Sequence, residues 1–237
     1  MRDGWKKRAL TLGLALALGL LLPLPRWGRT AAVFTRLPDQ TLVLDPGHGG
    51  EDGGAVSASG EAESQINLAI ALETDALLGF FGARTVLTRS EDVSIHDAGA
   101  RTLREKKVSD LHNRAALVES TENATLLSIH QNASPDGRLH GAQVFFAGQG
   151  QPLAQALQDG IRAHLDPENR RAVQPAAGSI YLMNHVSCRA VLVECGFLTN
   201  PREALLLRNP VYQRKLALIL AAGYLTWGNT QEGESLI

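Results

Sequence analysis

Cysteine is scarce in this sequence, which contains only Cys188 and Cys195 among its 237 residues. The two flank residues 190–193, an apolar run typical of a buried strand. If that run is extended, the seven-residue step between them spans roughly 23 Å at about 3.3 Å per residue, whereas a disulfide needs Cα atoms within about 7 Å. The sequence therefore predicts no disulfide framework, and its cysteine content leaves the cellular compartment open.

Net charge and several common motifs are also missing. The formal net charge is −1 and the pI is about 6.7, so the basic surface needed to neutralise many phosphates is absent and no nucleic-acid partner is expected. The sequence has no internal repeat, no HExxH zinc-binding helix and no GxSxG nucleophile elbow. These absences disfavour a repeat protein, an HExxH metalloprotease and an α/β serine hydrolase.

The N-terminus has the layout of an export signal. Basic residues at positions 2, 6, 7 and 8 precede an uncharged run rich in Leu and Ala, residues 9–25. A run of this kind predicts a signal peptide, or an N-terminal membrane anchor if it is not cleaved, because residues 30–32 fit a cleavage site poorly. The alternative is a buried helix of a soluble domain. We expect residues 1–33 to be this targeting segment, residues 34–237 to be one folded domain, and the protein to be exported.

Strands and helices are predicted to alternate along the folded domain. The short apolar runs indicate strands, and the runs with helical period or cap residues indicate helices. Residues 90–109 are polar and without period, which favours a surface loop. The pattern predicts an α/β fold, a three-layer domain with a mostly parallel twisted sheet flanked by helices. The predicted strands are residues 42–44, 84–89, 124–129, 141–147, 180–183 and 189–194, and the predicted helices are 63–80, 110–119, 152–165, one from Asn200 and 210–227.

Candidate catalytic side chains follow three of these strands. His48 and His130 come after the first and third strands, Glu194 closes the last, and Glu63 opens the first helix. Parallel strands bring such ends to one edge of the sheet. Two imidazoles and one carboxylate, His48, Glu63 and His130, would suit a catalytic zinc ion, with Glu194 as a general base. Spacing alone does not decide between this site and separate local roles, since a carboxylate such as Glu63 is also favoured in the first turn of a helix.

Other polar side chains near these positions are better explained by structural roles. A buried cysteine usually packs as a small hydrophobe, and surface histidines usually make ordinary hydrogen bonds. We expect Arg89 and Arg114 to form structural ion pairs or helix-surface charges rather than to bind substrate. Asn132 is equally suited to holding its turn or to lying near an oxyanion. The remaining residues considered were Cys195, Ser128, His112, His140, Arg89 and Arg114.

Five ordered motifs make the sequence similar to a known family. The chain from Leu42 to Trp227 resembles the zinc-dependent N-acetylmuramoyl-L-alanine amidases. The motifs are LDPGHGG at 44–50, Glu63 followed by Asn67, Thr88 with Arg89, SIHQNA at 128–133 and VECGFLTN at 193–200. The resemblance implies that His48, Glu63 and His130 bind Zn²⁺ and that Glu194 is the catalytic glutamate.

The resemblance also implies a substrate and a setting. The expected reaction is hydrolysis of the amide between N-acetylmuramic acid and L-alanine in peptidoglycan. The short chain and the polar insertion before residues 110–114 look most like the sporulation and germination branch that acts on spore cortex. The enzyme would then be secreted or anchored on the outer face, in the space between forespore and mother cell, with membrane contact only through its N-terminal segment and regulation open to a separate activator protein. The alternatives are a zinc carboxypeptidase acting on stem peptides and a non-catalytic wall-binding protein.

Overall fold

The computed structural model describes residues 39–234. Within that range six strands and six helices alternate along most of the chain. Their order is β1 (Thr41–Pro46), α1 (Glu63–Phe80), β2 (Arg84–Leu87), α2 (Leu103–Ser120), β3 (Ala124–Asn132), β4 (Gln143–Ala147), α3 (Gln151–His164), β5 (Gln174–Pro175), α4 (Tyr181–Asn184), β6 (Arg189–Phe197), α5 (Pro201–Leu207) and α6 (Pro210–Glu234).

The strands form one mixed sheet in the order β2-β1-β3-β6-β4-β5. Strands β2, β1, β3 and β6 run parallel, and β4 runs antiparallel to β6. The carboxyl ends of β1, β3 and β6 therefore lie side by side at one edge of the sheet. The predicted three-layer α/β fold with a mostly parallel sheet is confirmed.

Alternate residues of the central strands supply two separate cores. Leu42, Leu44 and Leu127 point to the side covered by α1, α3 and α6, in a cluster completed by residues such as Ile70 and Leu220. On the opposite side Val43, Leu126 and Leu192 pack against Ala115 and Val118 of α2 and Leu182 and Met183 of α4. Because side chains alternate across a strand, a sheet buried on both faces requires the nearly continuous apolar runs seen in the sequence.

One predicted strand, residues 180–183, is wrong. This segment forms the short helix α4, in which the adjacent residues Leu182 and Met183 are both buried on the same side of the sheet. Adjacent residues of a strand would point to opposite faces. A run of a few apolar residues does not distinguish a strand from a buried helical turn by periodicity, which explains the error.

The predicted surface loop at residues 90–109 is also partly wrong. Helix α2 begins at Leu103, seven residues before the predicted start at position 110. Its first turns are polar and largely exposed, so they lack the apolar period used for the prediction. The signal that identifies the start is the capping box, in which the Thr102 side chain accepts from Glu105 N and the Glu105 side chain accepts from Thr102 N.

The expected boundary between residues 33 and 34 lies outside the described residues, as does the predicted targeting segment 1–33. In the described part of the chain, none of the helices has the length and apolar character needed to cross a membrane.

Candidate active site

Three side chains from distant parts of the sequence converge at the carboxyl edge of the sheet. Glu63 Oε1 lies 3.0 Å from His130 Nδ1 and 3.4 Å from His48 Nε2. One nitrogen or oxygen atom from each of the three residues lies within 4.8 Å of the others. Among the described residues this is the one group of His, Cys, Asp and Glu side chains that converges so closely. Two imidazoles and a carboxylate form a donor set that fits a divalent metal ion such as zinc.

Glu63 is held by backbone amides as well as by the histidines. Its Oε1 accepts a hydrogen bond from Gln131 N at 3.0 Å, and its Oε2 accepts one from Ala55 N at 2.9 Å. Burial raises the pKa of this carboxyl, but the hydrogen bonds from His130 and His48 outweigh burial and hold the pKa well below its usual range. Glu63 is also the first residue of α1, so its charge is favoured by the helix dipole at the same time.

His48 lies in a loop whose backbone is unusual. Its φ of 61° places a non-glycine residue in the left-handed region. On its other ring nitrogen, Nδ1, it contacts Asp52 Oδ2 at 3.0 Å. Burial lowers the pKa of His48, but the hydrogen bonds and charges of Asp52 and Glu63 exceed that effect and raise the pKa to about 9.

Two glycines leave the space that this convergence needs. A Cβ at Gly47 would lie 2.1 Å from Cε1 of the His130 ring. A Cβ at Gly54 would lie 2.6 Å from Glu63 Oε2 and 2.8 Å from His48 Cδ2, and Gly54 has a φ of +69°. The glycine-rich loop after β1 therefore permits the side chains to approach one another.

Glu194 lies beside this group and faces the same cleft. It pairs in register with His130 across β3 and β6. Its Oε2 is buried and has no hydrogen-bond partner among the described residues. Burial, reinforced by the charge of Glu63 and opposed by His130 and His48, raises the pKa of Glu194 to about 7. The carboxyl group is thus suited to exchange a proton near neutral pH.

The cleft has a volume of about 270 Å³ and opens at the edge of the sheet. It is lined by His48, His130 and Glu194, by residues of α2 such as Lys107, and by residues 179–182 at the start of α4. A small amide with part of its flanking groups can enter a space of this size.

The buried ion pair in the lining of the cleft was expected only in part from the sequence. Arg114, which is 2% exposed, pairs with Asp45 Oδ1 and Asp110 Oδ2, each at 2.6 Å. It also donates to the carbonyls of Pro46 and His48 at 2.9 and 2.8 Å. The structural ion pair predicted for this arginine is confirmed, and the helix-surface alternative is wrong for it.

Arg89 holds the same loop from another direction. It donates to the carbonyls of Pro46, Gly47 and Ser64 at distances of 2.9 to 3.0 Å. Since it is 3% exposed and these carbonyls occupy its donors, it is a structural residue rather than a substrate clamp.

The family model described as N-acetylmuramoyl-L-alanine amidase matches residues 42–224. The chain belongs to this amidase family. It is therefore a hydrolase of peptidoglycan, and the carboxypeptidase alternative does not apply.

Individual relatives agree with the family assignment. The amidase is 36% identical over 201 residues to the germination-specific N-acetylmuramoyl-L-alanine amidase of Bacillus subtilis (strain 168). The aligned region covers 84% of this chain and 83% of the relative. Its fold is similar to that of the CwlD amidase from Clostridioides difficile, solved in complex with the GerS lipoprotein, with a TM-score of 0.76, 34% identity and coverage of 80% and 98% of the two chains. A second neighbour is the amidase AmiC2 of Nostoc punctiforme, with a TM-score of 0.69, 27% identity and coverage of 79% and 96%.

The structure gives non-catalytic surroundings to the other candidates in the amidase. Cys195 is buried, and burial raises the pKa of its thiol far above its usual range, which is unsuitable for a nucleophile. Ser128 Oγ donates to Asp45 Oδ2 at 2.6 Å rather than to His130. The His112 ring lies against Tyr181, and His140 Nδ1 contacts the carbonyl of Arg138.

Sequence reasoning missed the two acidic residues that support the site. Asp45 binds the side chains of Thr88, Arg114 and Ser128, and Asp52 contacts His48. The position of Asp45 directly before Pro46 gives no sign of these partners, which are 43 to 83 residues away. Asp52 lies four residues after His48 in the loop, and this short spacing was the available signal for it.

Proposed function

We propose that His48 Nε2, Glu63 Oε1 and His130 Nδ1 bind one zinc ion and that Glu194 is the catalytic base of the amidase. The observation that carries this proposal is the convergence of three donor atoms within 4.8 Å beside the buried, unpartnered Oε2 of Glu194. Three protein ligands leave a coordination position free, as catalytic zinc requires. When bound, zinc lowers the pKa of a water molecule to about 7 and polarises a carbonyl group.

The residues of the chain then supply the proton transfers. Glu194 Oε2 accepts a proton from the attacking water while the water oxygen forms a bond to the lactyl carbonyl carbon. The same carboxyl group passes the proton to the nitrogen of L-alanine as the carbon–nitrogen bond breaks. The products are a lactyl carboxylate and a stem peptide with a free amino group. The amides of Gln131 and Ala55 hold Glu63 in place during these steps.

This mechanism is tested with the full chain purified in detergent and incubated with peptidoglycan. We expect stem peptides with a free L-alanine amino group, identified by mass spectrometry, from the wild-type chain with zinc. Glu194→Gln keeps the size of the side chain but removes the base, so we expect activity to fall about 10²- to 10⁴-fold with zinc content unchanged. Wild-type activity in Glu194→Gln would exclude this residue as the base, and a chain that binds no zinc would exclude the metal site.

We further propose a role in spore cortex maturation or germination. Support comes from the similarity to the germination-specific amidase of Bacillus subtilis and to CwlD. A comparison of isolated spore cortex with vegetative-cell peptidoglycan tests this role, and we expect faster release of stem peptides from cortex. Equal rates on both substrates would contradict it.

We also propose that the amidase is exported through its N-terminal segment and works with a protein partner. The basic residues before the apolar run at 9–25 support export, and the complex of CwlD with the GerS lipoprotein supports a partner. N-terminal sequencing of the protein recovered outside the cytoplasm distinguishes a cleaved signal from a retained anchor, and recovery only from the cytoplasm would contradict export. Affinity purification from sporulating cells, with Glu194→Gln as bait, tests the partner.

A further inference from the structure

Asp52 contacts the side of the His48 ring that faces away from Glu63. Asp52 Oδ2 lies 3.0 Å from His48 Nδ1, whereas His48 Nε2 lies 3.4 Å from Glu63 Oε1. An imidazole that donates from Nδ1 carries its lone pair on Nε2. The contact with Asp52 therefore favours the tautomer in which Nε2 faces the cleft as an electron-pair donor.

The loop fixes the Asp52 carboxylate in this position. Gly49 N donates to Asp52 O at 2.8 Å, and Asp52 N donates to Gly49 O at 3.2 Å. Asp52 Oδ1 accepts from Gly54 N at 3.3 Å. Because these bonds join residues 49, 52 and 54, directly after His48, the carboxylate and the imidazole are set by the same short piece of backbone.

Helix α2 holds this loop through two consecutive lysines. Lys107 Nζ lies 3.2 Å from Asp52 Oδ2, and Lys106 Nζ lies 2.6 Å from Glu51 Oε1. The two ion pairs join neighbouring loop residues to neighbouring helix residues. Asp52 contacts both Lys107 and the proposed ligand His48. Glu51 contacts Lys106, and its side chain is 58% exposed.

We propose that Asp52 is the positioning residue of His48, holding its ring orientation and tautomer for metal binding while Lys107 holds Asp52. The inference rests on the proposed role of His48 as a ligand. It assigns a function to the loop after β1, whose one proposed ligand is His48. It also assigns a function to the early turns of α2, which supply no proposed ligand. A carboxylate on the outer nitrogen of a ligand histidine also increases the basicity of the inner nitrogen.

Zinc affinity is the first test, measured on the full chain in detergent by competition with a chromophoric chelator. We expect Asp52→Ala to weaken zinc binding about 10- to 100-fold. Asp52→Asn keeps the size and one acceptor oxygen, so we expect a smaller loss. Glu51→Ala is the matched control, because it removes a neighbouring loop carboxylate that also pairs with a lysine of α2 but does not contact His48. We expect Glu51→Ala to bind zinc as the wild-type chain does.

The tautomer of His48 is the second readout and needs no metal. Long-range proton–nitrogen correlation spectra of the zinc-free chain, recorded above the His48 pKa of about 9 so that the ring is neutral, report which ring nitrogen carries the proton. The His48 signals are assigned by their loss in His48→Ala. We expect the Nδ1–H form in the wild type and in Glu51→Ala, and a mixture of tautomers in Asp52→Ala. A fold defect alone does not produce this change in one ring.

The outcomes separate this inference from the proposed function. Wild-type zinc affinity in Asp52→Ala, or an equal loss in Glu51→Ala, would overturn the role of Asp52. An unchanged tautomer in Asp52→Ala would overturn it as well. If His48→Ala itself binds zinc with wild-type affinity, the proposed metal site fails, independently of the result for Asp52.

Discussion

Asp45, which lines the cleft, illustrates how a single buried charge supports the groups around the site. It is 1% exposed, and its carboxylate binds Arg114, Ser128 and Thr88. Burial raises its pKa, but the charge of Arg114 and the hydrogen bonds from Ser128 and Thr88 outweigh burial and lower the pKa below its ordinary value. The ionised form of Asp45 is thus stabilised in the folded state.

We expect Asp45→Asn to lower the free energy of unfolding by about 3 kcal/mol, the lower end for a broken buried pair, because Arg114 loses one carboxylate but keeps its pair with Asp110. A lowered pKa in the folded state stabilises the protein above the unfolded pKa of about 4, and this contribution is lost as pH falls. Urea denaturation between about pH 5 and about pH 2 should show a smaller loss of stability with acid in Asp45→Asn than in the wild type.

The matched control is Asp39→Asn, which removes an exposed carboxylate paired with Arg84 at 2.6 Å. An exposed ion pair contributes less than about 1 kcal/mol, so its loss should leave both stability and acid sensitivity close to wild type. Equal effects of the two substitutions would show that burial of Asp45 does not determine its contribution.

At the scale of residues, the sequence identified the groups that carry chemistry better than the groups that support them. His48, Glu63, His130 and Glu194 were grouped because their residue types suit zinc hydrolysis. The structure places the two histidines and Glu194 in the lining of one cleft, and Glu63 directly against the two histidines. The partners of Asp45 depend on which distant side chains reach it after folding. That information lies in the tertiary contacts, and a single sequence does not display it.

Helix α2 shows the same division at the scale of an element. Its buried residues, among them Ala115 and Val118, gave an apolar pattern, whereas the first turns are polar and were assigned to a loop. Those turns carry Lys106 and Lys107, which hold the loop containing His48. Helix α4 was misassigned for the opposite reason, since four residues are too few to show a period.

We expect Thr102→Ala to lower the free energy of unfolding by about 1 kcal/mol, the usual contribution of an N-cap side chain. Thr102 Oγ1 accepts from Glu105 N at 3.2 Å, and this acceptor is lost in the variant. Ser120→Ala at the other end of α2 is the control, because Ser120 Oγ only donates to the Leu117 carbonyl. We expect a change within about 0.5 kcal/mol for the control. Equal unfolding midpoints for the two variants in urea would contradict the capping role.

At the scale of the whole molecule, the parallel arrangement of β1, β3 and β6 creates the site. His48 and Glu194 are far apart in the sequence, and they meet only when the sheet has formed with β6 beside β3 and β3 beside β1. The alternation of strands and helices was sufficient to predict the sheet and the edge at which the site lies. Strand β4 pairs antiparallel with β6, and the two-residue strand β5 pairs with β4. The order of strands and helices in the sequence does not specify either pairing.

A site assembled in this way couples metal binding to folding, because the unfolded chain does not hold the three ligands together. For the zinc site proposed here, a free zinc concentration 100 times the dissociation constant should stabilise the folded state by about 2.7 kcal/mol. For a domain of this size the midpoint of thermal unfolding should rise by about 5 to 10 °C. Differential scanning fluorimetry with buffered zinc, compared with chelator, measures the shift. His48→Ala is the control, and its midpoint should be the same in zinc and in chelator. A wild-type midpoint that does not respond to zinc, or an equal rise in His48→Ala, would show that the ligands brought together by the sheet are not the site of binding.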